Sequence, residues 1–176
     1  MGETSLRKAT RSDIQHINQL TEMAKSIMEH DQNPQWDHRY PLEKHFYEDI
    51  DNGDLYLYEE NNDIAGYICV NQVQAEWYKQ FDWPANTDCA YVIHRMATNP
   101  EYKGVAMKMM QFAIDIATEA GTPIIITDTF SLNKRAQRLF EKFDFIKMGE
   151  YETDEFPFDK NAPFYAYYKL IENEEK

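Results

Sequence analysis

A chain of 176 residues with 43% hydrophobic side chains is long enough for one domain, residues 1–176, with a proper buried core. Its formal net charge of -13 argues against nucleic acid or an anionic membrane as the main partner, while permitting a cationic substrate such as an amine. The sequence shows neither a signal peptide nor an apolar run able to span a bilayer, so a cytoplasmic, soluble protein is expected.

Ser5–Thr10 reads as a first strand. Ser12 or Asp13 then offers an N-cap to a helix carrying Ile14, Ile17, Leu20, Ala24 and Ile27 on one stripe and ending near Glu29. His30–Tyr40 is a polar loop with two aromatic anchors, and Pro41 is expected as the first residue of a second helix. After the Asn52-Gly53 turn, Leu55–Glu59 and Ile64–Gln72 form a hairpin across Glu60–Asp63. Val73–Pro84, with Trp77, Tyr78, Phe81 and Trp83, reads as a short helix or a long loop. Cys89–Ala97 reads as a central strand.

The segment Asn99–Gly121 organises the rest. Small residues at Gly104 and Ala106 open a helix whose apolar face is Met109, Met110, Ala113, Ile116 and Ala117, and Gly121 closes it as a C′ glycine. A strand feeding a helix with a bare first turn leaves backbone N–H groups that suit a phosphate or pyrophosphate. A glycine relieving a tight turn is the structural alternative.

Pro123–Thr127 reads as a strand covered on both faces, Asp128–Ser131 as a loop, and Leu132–Phe143 as the last helix. Phe145–Gly149, the aromatic acidic loop Tyr151–Pro163 and the strand Phe164–Ile171 complete the order β-α-α-β-β-β-α-β-α-β-β. The expected fold is α/β with a mixed central sheet, helices on both faces, and two right-handed crossovers about the 89–97 and 123–127 strands. Cys69 and Cys89 lie in apolar runs and are expected to be buried free thiols. No His or Cys spacing specifies a metal.

This order, the Gly104 helix and the segment N-K-R-A-Q-R-L-F-E-K-F-D-F (Asn133–Phe145) together resemble the GCN5-related N-acetyltransferase (GNAT) superfamily. The second segment is similar to the family's N-x-x-A-x-x-L-[YF]-x-x-x-G-F element, with Asp144 where glycine is usual. The helix from Gly104 is similar to its acyl-CoA pyrophosphate helix, and Gln35–Pro41 resembles a stretch common in bacterial members of unassigned substrate. In the favoured register, Gly104 and Ala106 take the small positions and Glu101 stands where Gln or Arg is usual. The alternative register aligns Lys103-Gly104 with the family's Arg-Gly.

The resemblance implies an acetyl-CoA-dependent N-acetyltransferase acting on a primary amine of a small molecule or peptide, with a non-catalytic acyl-CoA-binding or interaction protein as the alternative. It implies main-chain contacts from Met96, Ala97 and Thr98 to the pantetheine arm. Lys103, Gly104, Val105, Ala106, Met107 and Lys108 would cradle the pyrophosphate. Asn133 would contact the cofactor arm or simply cap its helix.

Transfer to an amine needs a base, a donor for the oxyanion and an acid for the thiolate. Glu76, Asp88, His94 and Asp128 are the candidates for the base, although His94 could equally be a hydrogen-bonded core histidine. The Met96 N–H is the candidate oxyanion donor. The family's usual acid is a tyrosine at the position of Phe140, which has no proton to give, so Tyr165 or Tyr167 would have to replace it. Trp36, Tyr40, Trp77, Asp128 and Phe156 are candidates for an acceptor pocket, Asp128 as an amine anchor. No metal, nucleic acid or membrane partner is expected, and relatives that pair through terminal strands make a homodimer an open expectation.

Overall fold

The computed structural model describes residues 4–172. Along it run β1 (Thr4–Lys8), α1 (Ile14–His30), α2 (Glu43–Asp51), β2 (Leu55–Glu60), β3 (Asp63–Asn71), β4 (Tyr91–Thr98), α3 (Val105–Glu119), β5 (Ile124–Phe130), α4 (Lys134–Lys142), β6 (Ile146–Tyr151) and β7 (Phe164–Leu170). Short 3₁₀ turns occupy Arg11–Asp13 and Glu76–Gln80. The seven strands form one sheet in the order β1-β2-β3-β4-β5-β7-β6. It is mixed, because β4 and β5 are parallel whereas β1-β2, β2-β3, β5-β7 and β6-β7 are antiparallel. Contacts divide the chain into two compact units, residues 1–70 with 95–109, and residues 71–94 with 110–176.

In the first unit, α1 lays Ile17 and Leu20 on a core with Phe46 of α2 and with Leu55, Leu57, Tyr67 and Cys69 of the sheet. Burying each such side chain contributes roughly 1.5–3 kcal/mol. The β2–β3 turn is tighter than the expected four residues. Asn61 and Asn62 have φ of 54° and 68°, and asparagine tolerates the left-handed conformation that a two-residue hairpin turn requires. On the α3 side, Gly66 is forced by close approach: a Cβ there would lie 2.8 Å from Val105 Cγ1 and 3.0 Å from Met109 Cε.

The second helix begins later than expected. Leu42 holds the extended N-cap conformation, so the helix opens at Glu43. The Cys89 expectation also changes. Cys69 is buried, but Cys89 is exposed in the turn ahead of β4, which starts two residues later than the apolar run suggested.

In the second unit, β5 is longer than its isoleucine run. Asp128, Thr129 and Phe130, expected as a loop, pair with Ala166, Tyr165 and Phe164 of β7. Cross-strand pairing here overrides the polar composition that read as a strand end. Strand alternation puts Val92, Ile124, Ile126 and Phe130 on one face, in a cluster with Trp77, Tyr78, Phe164 and Ala166. On the other face Phe140 of α4 packs edge-on against Tyr167, ring centroids 5.3 Å apart. Gly149 is needed where Phe81 crosses β6, since a Cβ would collide with that ring.

Candidate functional site

In the first unit, β4 leads through a tight turn into α3. The Asn99 side chain accepts the Glu101 N–H at 3.0 Å and its carbonyl accepts the Tyr102 N–H at 3.1 Å, folding the loop back on itself. Gly104 then takes φ of 74°, and no atom lies within 4 Å of where a Cβ would stand. Its carbonyl accepts the Lys108 N–H at 3.1 Å, the first helical bond. The N–H groups of the first turn therefore have no partner within the helix, at its positive end. Val105 is buried against Gly66, Ala106 is half-buried, and Lys103, Gly104, Met107 and Lys108 are exposed. The Lys108 ammonium sits 5.7 Å from the centre of the Tyr58 ring. Open backbone donors, a small-residue approach and two lysines fit a pyrophosphate. Glu101 is exposed, so its carboxylate is not buried against these donors.

Arg95, between the sequence-predicted His94 and Met96, anchors a buried cluster that sequence reasoning missed. Its guanidinium donates to both Asp49 oxygens, at 2.9 and 2.5 Å, and to the Tyr40 hydroxyl at 2.7 Å. Burial pushes the Asp49 carboxyl up while Arg95 pulls it down, and burial pushes the Cys69 thiol up. Tyr40 is thereby pinned to β4. Trp36 helps wall a cavity of about 910 Å³ with Phe46, Pro41 and Asn33, rimmed by Glu22 and Glu43.

In the second unit the β4–β5 ladder runs from Tyr91–Ile125 to Ile93–Thr127, and the Thr127 hydroxyl donates to the Ile93 carbonyl at 2.9 Å. His94 and Asp128 are the next residue on each strand, so they share the face opposite Ile93 and Thr127. The His94 Nε2 lies 2.6 Å from Asn71 Oδ1, which also accepts the Val73 N–H at 2.9 Å. As Oδ1 is an acceptor, Nε2 carries a proton. The Asp128 carboxylate accepts the Tyr78 hydroxyl bond at Oδ2. Burial raises its pKa to about 6, Tyr78 pulling the other way, and burial together with the Asp128 charge drives the phenol of Tyr78 far above its usual range.

The other candidates are dispersed. The Glu76 side chain is 88% exposed and paired with Lys79 at 3.0 Å. Tyr165, opposite Thr129, is on the face away from His94 and Asp128, under the Lys147 ammonium at 3.6 Å. Trp77 is 7% exposed and stacked on Tyr151, with ring centroids 4.9 Å apart. Phe156 is half-exposed, and Asn133 Oδ1 accepts the Ala136 N–H at 3.1 Å, the cap of α4. Tyr78 was legible as part of an aromatic segment, but its partner lies 50 residues away.

The model of the acetyltransferase (GNAT) family matches residues 18–145. The chain belongs to the GNAT family. A Staphylococcus aureus Mu50 protein provisionally described as an acetyltransferase is 42% identical, covering 95% of this chain and 99% of its own, with a TM-score of 0.72. A GNAT-family acetyltransferase of Streptococcus agalactiae 2603 superposes with a TM-score of 0.82 at 23% identity, covering 98% of this chain and 96% of its own. The Salmonella typhimurium protein yncA, whose structure holds acetyl-CoA, does so at 0.67 and 14% identity, covering 98% and 96%. No curated protein matches the chain. Acetyltransferase activity toward some acceptor is supported by the family membership.

Within the GNAT family the departures now have a physical reading. Asp144 adopts φ of 64°, the conformation that makes glycine usual at its position. Phe140 is 4% exposed in a ring cluster with Phe145 and Tyr167 and contributes packing only. Among the described residues no group of three or more His, Cys, Asp or Glu is placed to hold a metal ion, and no helix is long and apolar enough to cross a membrane.

Proposed function

We propose that this GNAT-family chain transfers acetyl from acetyl-CoA directly to a primary amine of a small molecule or peptide. The observation that carries this reading is the opening of α3: Gly104 at φ of 74° with open space at its Cα, followed by first-turn N–H groups lacking helical partners. Lys103, Gly104, Val105, Ala106, Met107 and Lys108 hold the pyrophosphate in this reading, chiefly through main chain, which tolerates the side-chain departures. The main chain of Met96, Ala97 and Thr98 runs along the pantetheine arm, and the Met96 N–H faces the developing oxyanion. Asn133 serves first as the α4 cap.

Of the candidate bases, Glu76 is set aside, and His94 and Asp128, neighbours on one face of β4 and β5, remain. The exposed Glu76 carboxylate is in water and ion-paired, whereas His94 is held by Asn71. Tyr165 is the weaker acid candidate because of its face, and the thiolate takes its proton from the reacting nitrogen instead. Trp36, Tyr40, Trp77, Asp128 and Phe156 remain the acceptor-side candidates.

Calorimetric titration with acetyl-CoA, followed by thiol release on a panel of primary amines, tests the proposal. Saturable binding with amine-dependent thiol release is the expected result. Binding without release across the panel favours the non-catalytic acyl-CoA binder, a reading that the loss of the usual tyrosine at Phe140 supports.

A further inference from the structure

Asp128 is a half-buried carboxylate that packing alone does not require. It interrupts an otherwise apolar face, with Ile124 and Ile126 before it on β5, Phe130 after it and Ala166 opposite on β7. Only one protein group meets it among the described residues, the Tyr78 hydroxyl at Oδ2. Among the described residues no lysine or arginine is bonded to it, unlike Asp13 with Arg7 or Asp49 with Arg95. A carboxylate taken out of water without a cation is costly, so the position makes sense where a cation arrives from outside.

The surroundings fit that cation. Tyr78 packs against Trp77 and Trp83, ring centroids 4.9 and 5.9 Å away. Aromatic faces beside a lone anion favour an ammonium group carried on an apolar stem. Tyr78 bonds Asp128 from the 3₁₀ turn, and the ionisable groups on the same sheet face are His94 of β4 and Tyr168 of β7. The Glu76–Lys79 pair of that same turn is exposed.

We propose that Asp128, held by the Tyr78 hydroxyl, is the anion that receives the acceptor's ammonium group and takes its first proton. The step rests on the transferase reading above. The ammonium R–NH3⁺ gives one proton to the Asp128 carboxylate and becomes R–NH2. The nitrogen lone pair then forms the bond to the thioester carbonyl carbon as the C–S bond breaks. The thiolate takes the second proton from nitrogen, leaving the amide, a free thiol and one proton on Asp128 that passes to water. Asp128 is then a catalytic residue, and Tyr78 a positioning residue whose bond stabilises the ionised form. A carboxyl that titrates close to neutrality suits the exchange.

The test uses the full chain with 13C-labelled aspartate carboxyl carbons, the Asp128 signal being assigned by Asp128→Asn, and phenethylammonium as the probe. The carboxyl midpoint is expected near 6, and saturating phenethylammonium should lower it by about half a pH unit or more, roughly a three-fold change in proton affinity. Neutral 2-phenylethanol should leave it in place, and Tyr78→Phe should raise it. A midpoint at the ordinary carboxylate value, or an amine response absent or equalled by the alcohol, overturns the proposal.

Calorimetry with acetyl-CoA on the same sample separates the two claims. Normal acetyl-CoA binding with no amine response removes only the role of Asp128. An intact amine response without acetyl-CoA binding removes the transferase reading and keeps the cation site.

Discussion

Replacing Asp128 by asparagine should stabilise the protein, and should do so more at high pH than at low. The folded carboxyl has its pKa raised from 3.8 to about 6, mainly because burial disfavours the charged form. The native state therefore holds this proton more tightly than the unfolded chain, and the group's stabilisation is fully present below 3.8 and is lost as pH climbs through about 6. At about 1.4 kcal/mol per pH unit, the whole interval amounts to about 3 kcal/mol, of which about 2 kcal/mol falls between pH 4.5 and 8. Asparagine does not titrate, so the gap between variant and wild type should widen by that amount over this range, whatever the fixed cost of the new amide. Urea unfolding at several pH values, with midpoints converted through a common slope, reads the gap directly. A gap that is constant with pH, or that narrows as pH rises, would refute the reasoning. A stabilised variant that has lost acetyl transfer is the trade expected of a site residue.

Other substitutions test the frame around the site. Gly66→Ala brings a methyl within 2.8 Å of Val105 Cγ1 and 3.1 Å of the Ala97 carbonyl oxygen, and should cost about 1–3 kcal/mol in urea unfolding while weakening acetyl-CoA binding. Asp49→Ala strands the Arg95 guanidinium, and a loss of about 3–5 kcal/mol is expected by thermal unfolding, larger than for Arg95→Met combined with Asp49→Ala. Asn133→Ala removes the α4 cap and should cost about 1 kcal/mol. If capping is its whole role, calorimetry will find acetyl-CoA affinity unaltered.

Much of the fold was legible because local chemistry and global packing agree. The 3.6-residue stripe of α3 ends at Gly121, which takes φ of 71°, as a helix-closing glycine does. The A-Q-R-L-F spacing of α4 puts Phe140 inward behind an asparagine cap. The misplacements arose where a distant partner decides. β5 continues through Asp128 because β7 pairs with it, and Cys89 is exposed because β4 begins beyond it. The helix opening at Gly104, the backbone part of the candidate site, was legible in the sequence. Side-chain juxtapositions such as Tyr78 with Asp128, or Arg95 with Asp49 and Tyr40, join residues 46 to 55 positions apart and leave no periodic trace.

The central claim is that the open donors at the start of α3 hold the phosphates of acetyl-CoA. Amide hydrogen–nitrogen spectra recorded during an acetyl-CoA titration measure this most directly. The account predicts saturable shifts largest at the N–H groups of Gly104, Val105, Ala106 and Met107, mimicked by CoA. Saturable binding that leaves these four amides unmoved would contradict it.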